Sequence, residues 1–137
     1  MKVTVETLIA APIEEVWAAW NNPEDIKQWN AASDDWHTTA ATVDLREGGT
    51  FSSRMEAKDG SMGFDFAGTY IRIVEHQLIE SRFGDRTLRV EFFPRNGEVS
   101  VRETFDAENT HSEEQQRQGW QAILDRFARH VESKQVR

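Results

Sequence analysis

Apolar residues recur along this chain with two different periods, and each change of period marks a new element. Near the end, Trp120, Ile123, Leu124, Phe127 and Val131 keep the spacing of one helical face, with Gln121, Asp125, Arg126 and Arg129 between them. The spacing predicts one long amphipathic helix over Ser112–Val131. Ser112 and Gln115 have the form of a capping box. Glu113 and Glu114 suit the positive end of the helix dipole, and Arg129, His130 and Lys134 the negative end. Such a helix cannot bury its bulky stripe alone. It needs a broad apolar surface, which the middle of the chain supplies.

That surface is built from runs of period two. Lys2–Ala10 alternates, with Val3, Val5, Thr7 and Ile9 on one side, and reads as a strand. Ala11-Pro12 ends it and opens a helix with Ile13, Val16, Trp17 and Trp20 as its stripe. Asn22-Pro23 reads as a cap and first-turn proline of a second short helix, with Ile26 and Trp29 inward. From Asn30 to Thr42 no period holds, and a polar loop carrying Trp36 is expected there. Val43–Leu45 has room for a short strand only. Strands are then predicted at Thr50–Ala57, Phe64–Val74, Leu78–Gly84 and Leu88–Phe93, with a last one through Val99, Val101, Glu103 and Phe105. Asp59-Gly60 and Asn96-Gly97 are strong hairpin signals, and Asp85-Arg86 a further turn. Gly68 invites a bend or a close approach. Ser133–Arg137 reads as a tail.

Successive hairpins give an antiparallel sheet. The expected fold is α+β: a curved sheet of about six or seven strands around the C-terminal helix, with two short helices after the first strand. One domain over residues 1–137 accommodates it. A sheet curved around a helix leaves space between them, a common place for a ligand.

Composition narrows the function. Hydrophobic residues make up 38% of the chain, with five Trp and eight Phe, enough for one core. The net charge of −8 argues against nucleic acid and anionic membranes as partners, since phosphates demand Lys/Arg surfaces. Without cysteine there is no thiol catalysis and no thiolate metal site. No leader-like opening or spanning apolar run is present, so cytoplasmic residence is the default expectation and membrane insertion is not expected.

A set of short motifs then falls into a familiar order. They are Ala11-Pro12 before Val16-Trp17, Asn22-Pro23-Glu24, Gln28-Trp29, and Asp44-Leu45-Arg46-Glu47-Gly48-Gly49-Thr50-Phe51. The Asp59-Gly60 turn, Gly68, and Gly119-Trp120 with Leu124 complete them. In this order the chain resembles the START-like, helix-grip (SRPBCC) superfamily, which includes polyketide cyclase-like and lipid-transfer proteins. It is most similar to bacterial homologues of the activator of heat-shock protein 90 ATPase. The resemblance implies a cavity for apolar or amphipathic small molecules such as lipids, polyketides or polyphenols. It also implies contact with a chaperone and a place in the stress response. Many relatives carry a second Trp and a Gly-Pro after the Trp29 position. Here Asn30-Ala31-Ala32-Ser33-Asp34-Asp35-Trp36-His37 follows, so one cavity mouth should differ.

The candidate cavity residues are Trp29, Ser33, Trp36, Phe51, Met55, Phe66, Tyr70, Glu103, Trp120 and Phe127. Glu103 is the sharpest, because alternation puts a carboxyl on the same face as Val99, Val101 and Phe105. Burying it bare is costly. It is either a cavity acid that anchors a ligand, or the partner of Arg54 or Arg82, or turned outward by a bulge. Tyr70 is a second polar candidate, its alternative a bond to a backbone carbonyl. Ser33 and Arg54 could orient a ligand, although alternation turns Arg54 outward. Asp34, Asp35 and His37 match no metal motif, so no metal is expected. His76, His111 and His130 read as surface residues. There is no phosphate-binding glycine loop and no nucleophile elbow, and neither cofactor nor catalytic residue is assigned. The first reading is therefore a small-molecule binding protein. A cyclase- or hydratase-type enzyme using Glu103 or His37 is the second, and a co-chaperone acting through its surface the third.

Overall fold

A computed structural model describes residues 1–135. In chain order its elements are β1 (Lys2–Ile9), α1 (Ile13–Asn21), α2 (Pro23–Trp29), β2 (Trp36–Val43), β3 (Thr50–Ala57), β4 (Gly63–Val74), β5 (Leu78–Phe83), β6 (Arg86–Arg95), β7 (Glu98–Asp106) and α3 (Glu113–Ser133). The seven strands form one antiparallel sheet in the order β1-β7-β6-β5-β4-β3-β2. It curls into a half-barrel around α3. The expected α+β helix-grip architecture is thus present, with all seven strands.

The local signals explain most of this. At the start of α3, Gln115 N–H donates to Ser112 Oγ at 3.1 Å and Ser112 N–H to Gln115 Oε1 at 3.2 Å, closing the capping box. Asn22 caps α2 by accepting from Glu24 N–H, with Pro23 as the first helical residue. Asn96 and Gly97 both take positive φ, 54° and 80°, which a tight two-residue hairpin requires. The turn between β5 and β6 lies at Gly84-Asp85 and not Asp85-Arg86, because Gly84 supplies the positive φ of 65°.

The polar loop expected from Asn30 to Thr42 is corrected: only its first part is a loop, and Trp36–Val43 is an edge strand. A register shift between Thr38 and Ala40 breaks its alternation, so no period survives in the sequence. Val43–Leu45 is consequently the end of β2 and not a strand of its own. At the other terminus α3 runs to Ser133, two residues beyond the predicted end. The predicted tail therefore begins inside the helix, and its last residues, 136 and 137, lie outside the described residues.

The core is sealed where α3 meets α1, α2 and β1. Phe127 is fully buried, with ring centroids 4.9 Å from Trp20 and 4.8 Å from Trp29. Leu124 and Val131 pack on the same side. His130 is not the surface residue its position suggested. Its Nε2 lies 2.8 Å from Asp25 on α2, and Lys134 Nζ donates to the same carboxylate oxygen at 2.7 Å. Burial alone would raise the Asp25 pKa, but the bonds from Lys134 and His130 outweigh it and leave it lowered. Asp25→Asn should therefore cost about 1.5–3 kcal/mol, the usual worth of hydrogen bonds to a charge. Because the Asp25 pKa is depressed, that contribution is present above its ordinary value of 3.8 and fades as pH falls through the folded value. Urea midpoints at pH 6 and pH 3 check this. Equal losses at both would show that the charge is not involved.

Candidate functional site

Between the concave face of the sheet and α3 lies a cavity of about 600 Å³. The register of the sheet sets the inward rows from which its floor is drawn. Val5, Glu103, Val90 and Ile79 stand side by side across β1, β7, β6 and β5. The next inward row is Val3, Phe105, Leu88, Ser81 and Tyr70. A second register shift, between Tyr70 and Arg72, bends β4 there. The β2–β3 loop docks on this bend through Gly48 N–H to Tyr70 O at 2.8 Å and Tyr70 N–H to Gly49 O at 2.9 Å. Farther along β4, Gly68 lets the Phe51 ring lie against the backbone, since a Cβ there would come within 2.8 Å of Phe51 Cζ.

The roof is the N-terminal half of α3. Trp120 stacks on Phe105 at 3.9 Å and 11°, with Phe66 and Phe83 each at 6.2 Å. At the mouth, the buried Gln116 side chain holds the segment before α3. It accepts from Glu108 N–H at 2.9 Å and donates to the carbonyls of Glu108 and His111 at 3.1 and 2.9 Å. A smaller hollow of about 310 Å³ adjoins the mouth, between Trp36, Phe64, Gly119 and Trp120. No side chain at Gly119 fills it.

Glu103 is 5% exposed and faces the cavity. Neither alternative for it holds. Arg54 pairs instead with Glu56 at 3.0 Å and Asp65 at 3.5 Å, Arg82 is exposed, and β7 pairs with both neighbours without a bulge. Among the described residues no group bonds to its carboxyl. Burial alone pushes its pKa from 4.5 up to about 8, so the acid is protonated at neutral pH. The Tyr70 hydroxyl also lacks a backbone partner among the described residues, and burial, with the Asp44 charge, pushes its pKa up to about 12.

Of the predicted site residues, Trp29, Phe51, Met55, Phe66, Tyr70, Glu103 and Trp120 surround this space. Three do not. Ser33 is exposed in the α2–β2 turn, Trp36 borders only the smaller hollow, and Phe127 is core, walled off by Trp20 and Trp29. His37 is exposed on the edge strand, away from the cavity, and Asp34 pairs with Arg126 at 2.9 Å. Ser53 and Ser81 line the cavity and were missed. Their signal is a small hydroxyl residue in a row of large apolar ones: Phe51-Ser53-Met55 and Ile79-Ser81-Phe83. Each short side chain leaves volume that its neighbours cannot fill.

The sequence profile of the Activator of Hsp90 ATPase homolog 1-like proteins matches residues 10–132. The chain belongs to this family. Among solved structures, an AHSA1-like protein from Aeromonas hydrophila is 48% identical over 98% of this chain and 94% of its own, with a TM-score of 0.92. A Cytophaga hutchinsonii protein is 45% identical over the same shares, with a TM-score of 0.83. A Chromobacterium violaceum protein at 22% identity covers 96% of this chain and 98% of its own at a TM-score of 0.86, which speaks for the fold alone. No curated protein matches. The AHSA1-like family brings with it the START-type helix-grip fold, in which a cavity of this kind is typical. No helix among the described residues is long and apolar enough to cross a membrane.

Proposed function

We propose that this AHSA1-like protein binds a small apolar or amphipathic molecule in the cavity between its sheet and α3. The observation that carries this is one buried carboxyl, without a partner among the described residues, on the wall of a 600 Å³ space otherwise lined largely by aromatic and aliphatic side chains. Apolar walls supply affinity, at about 25 cal/mol per Å² removed from water, and a few polar groups set orientation. Glu103 stands at one side. Ser81 and Tyr70 stand two and three strands away, one row farther along. From strand spacings, the Glu103 and Ser81 backbones are about 12 Å apart. An elongated ligand with polar groups near both ends fits this separation better than a reaction that needs two groups converging on one atom. A surface role needs no such space, which ranks co-chaperone action below binding.

An amide chemical-shift screen against lipids, polyphenols and polyketides tests the reading. Shifts should gather on Trp120, Phe66, Ser81 and Glu103, and Trp120→Ala should weaken the best hit by roughly tenfold or more, as lost stacking and apolar contact predict. Shifts confined to the outer sheet face would exclude the cavity.

A further inference from the structure

We propose that the cavity selects a lipophilic amine, whose ammonium group pairs with the carboxylate of Glu103. The inference rests on the cavity being a ligand site. Its starting point is a missing counter-charge. Glu103 is flanked by Val5 and Val90 across the sheet and by Val101 and Phe105 along its strand. The other titratable groups on the wall are Asp65 and Tyr70 on β4, Arg86 on β6, and Glu108 and His111 after β7. Asp65 is engaged by Arg54, and Glu108 by His111 at 3.1 Å. Arg86 donates to the Asp106 carbonyl at 2.9 Å and lies over the Phe83 ring. The helices contribute no titratable group to the wall, only residues such as Trp20, Trp29, Gln116 and Trp120. Among the described residues nothing therefore competes with an incoming cation for Glu103.

Three further features favour a cation over an anion or a neutral head group. Phe105, the next inward residue after Glu103, carries the stacked Trp120, roughly 7 Å along the strand. Trp120 and Phe66 thus put aromatic rings on the same wall, whereas Phe83 already carries Arg86, and aromatic rings attract ammonium groups. The net charge of −8 draws cations and repels carboxylates and phosphates. A neutral carbonyl or hydroxyl would find only neutral hydrogen bonds at the acid, whereas an ammonium finds a charge-assisted one.

The proton balance follows. The empty site holds Glu103 as the neutral acid, kept so by burial. The ligand enters as R–NH3+. The carboxyl gives its proton to solvent, and the ammonium donates N–H to the resulting carboxylate. Close to one proton is released per ligand bound at pH 7.

Calorimetric titration with 4-phenylbutylamine and with 4-phenylbutanol, each in phosphate and in Tris at pH 7, tests this. The two probes share a body and differ only in the head group. The amine should bind roughly tenfold or more tightly than the alcohol, with release of about one proton. In Glu103→Gln the proton release should vanish and the amine should lose its advantage over the alcohol. Alcohol binding with an equal or weaker amine, or amine binding without proton release, overturns the amine inference and leaves the cavity reading standing. If neither probe binds, both fail. The proton count in the unaltered protein decides the matter even where the Gln variant does not fold.

Discussion

Phe127→Ala is expected to lower the unfolding free energy by about 3–5 kcal/mol. The ring is fully buried in the C-terminal half of α3, between Trp20 and Trp29, and does not touch the cavity. Truncation loses the transfer free energy of the ring and leaves a void that two large indoles cannot readily collapse into. Against a total stability of about 5–15 kcal/mol, this is a large share. It should appear as a lower denaturant midpoint at unchanged slope. Trp120→Ala makes the contrast. Trp120 is only partly buried and already borders empty space, so truncation widens a cavity that exists. Its stability loss should be clearly smaller. Equal losses, or a loss below about 1 kcal/mol at Phe127, would contradict the division of α3 into a core half and a cavity half.

Stability should fall, not rise, as pH is raised from about 4.5 to 8. Glu103 is the cause. Its folded pKa lies near 8 against an ordinary value of 4.5. Between those values the folded chain holds a proton that the unfolded chain has lost, so each step up in pH favours unfolding. The contribution is whole below pH 4.5 and is lost progressively up to pH 8, at most about 1.4 kcal/mol per pH unit, or about 3 kcal/mol by pH 7. The depressed carboxyls of Asp25, Asp34, Asp59, Asp106 and Glu108 act the other way, losing their contribution as pH falls. Maximal stability is therefore expected near pH 4.5–5, lower than is usual. Glu103→Gln should remove the downward slope and exceed the unaltered protein in stability above pH 7. A flat profile from pH 5 to 8 in guanidinium midpoints would mean that the Glu103 carboxyl is solvated.

How far the sequence carries depends on whether neighbours in the chain are neighbours in space. The α3 stripe and the Asn96-Gly97 turn are local, and both were legible. The inward set of β7, Glu103 included, follows from strict alternation along one strand. Alternation turned Arg54 outward, but what else Glu103 would meet could not be read, because Arg82 lies on another strand and its place shows only in the register. β2 was lost to the shift after Thr38, which breaks alternation in a run already poor in large side chains. Phe127 and Trp120 share a helical stripe, yet one is core and the other is roof. That difference is made by Trp20 and Trp29, about a hundred positions earlier in the chain. The Asp25–His130 pair spans the same distance and left no trace in either local pattern.

The strand order has a consequence for synthesis. β2 to β7 follow one another around the sheet, so each new strand can pair with the one made just before it. β1 cannot. Its partner is β7, with Lys2 opposite Asp106, and it stays without a neighbour until about a hundred further residues have been translated. Pairing at such separation is slow to form. α3 comes later still and needs both β1 and the first two helices in place. Growing chains therefore carry an open, apolar sheet face until α3 is made, and the cavity is among the last features to exist.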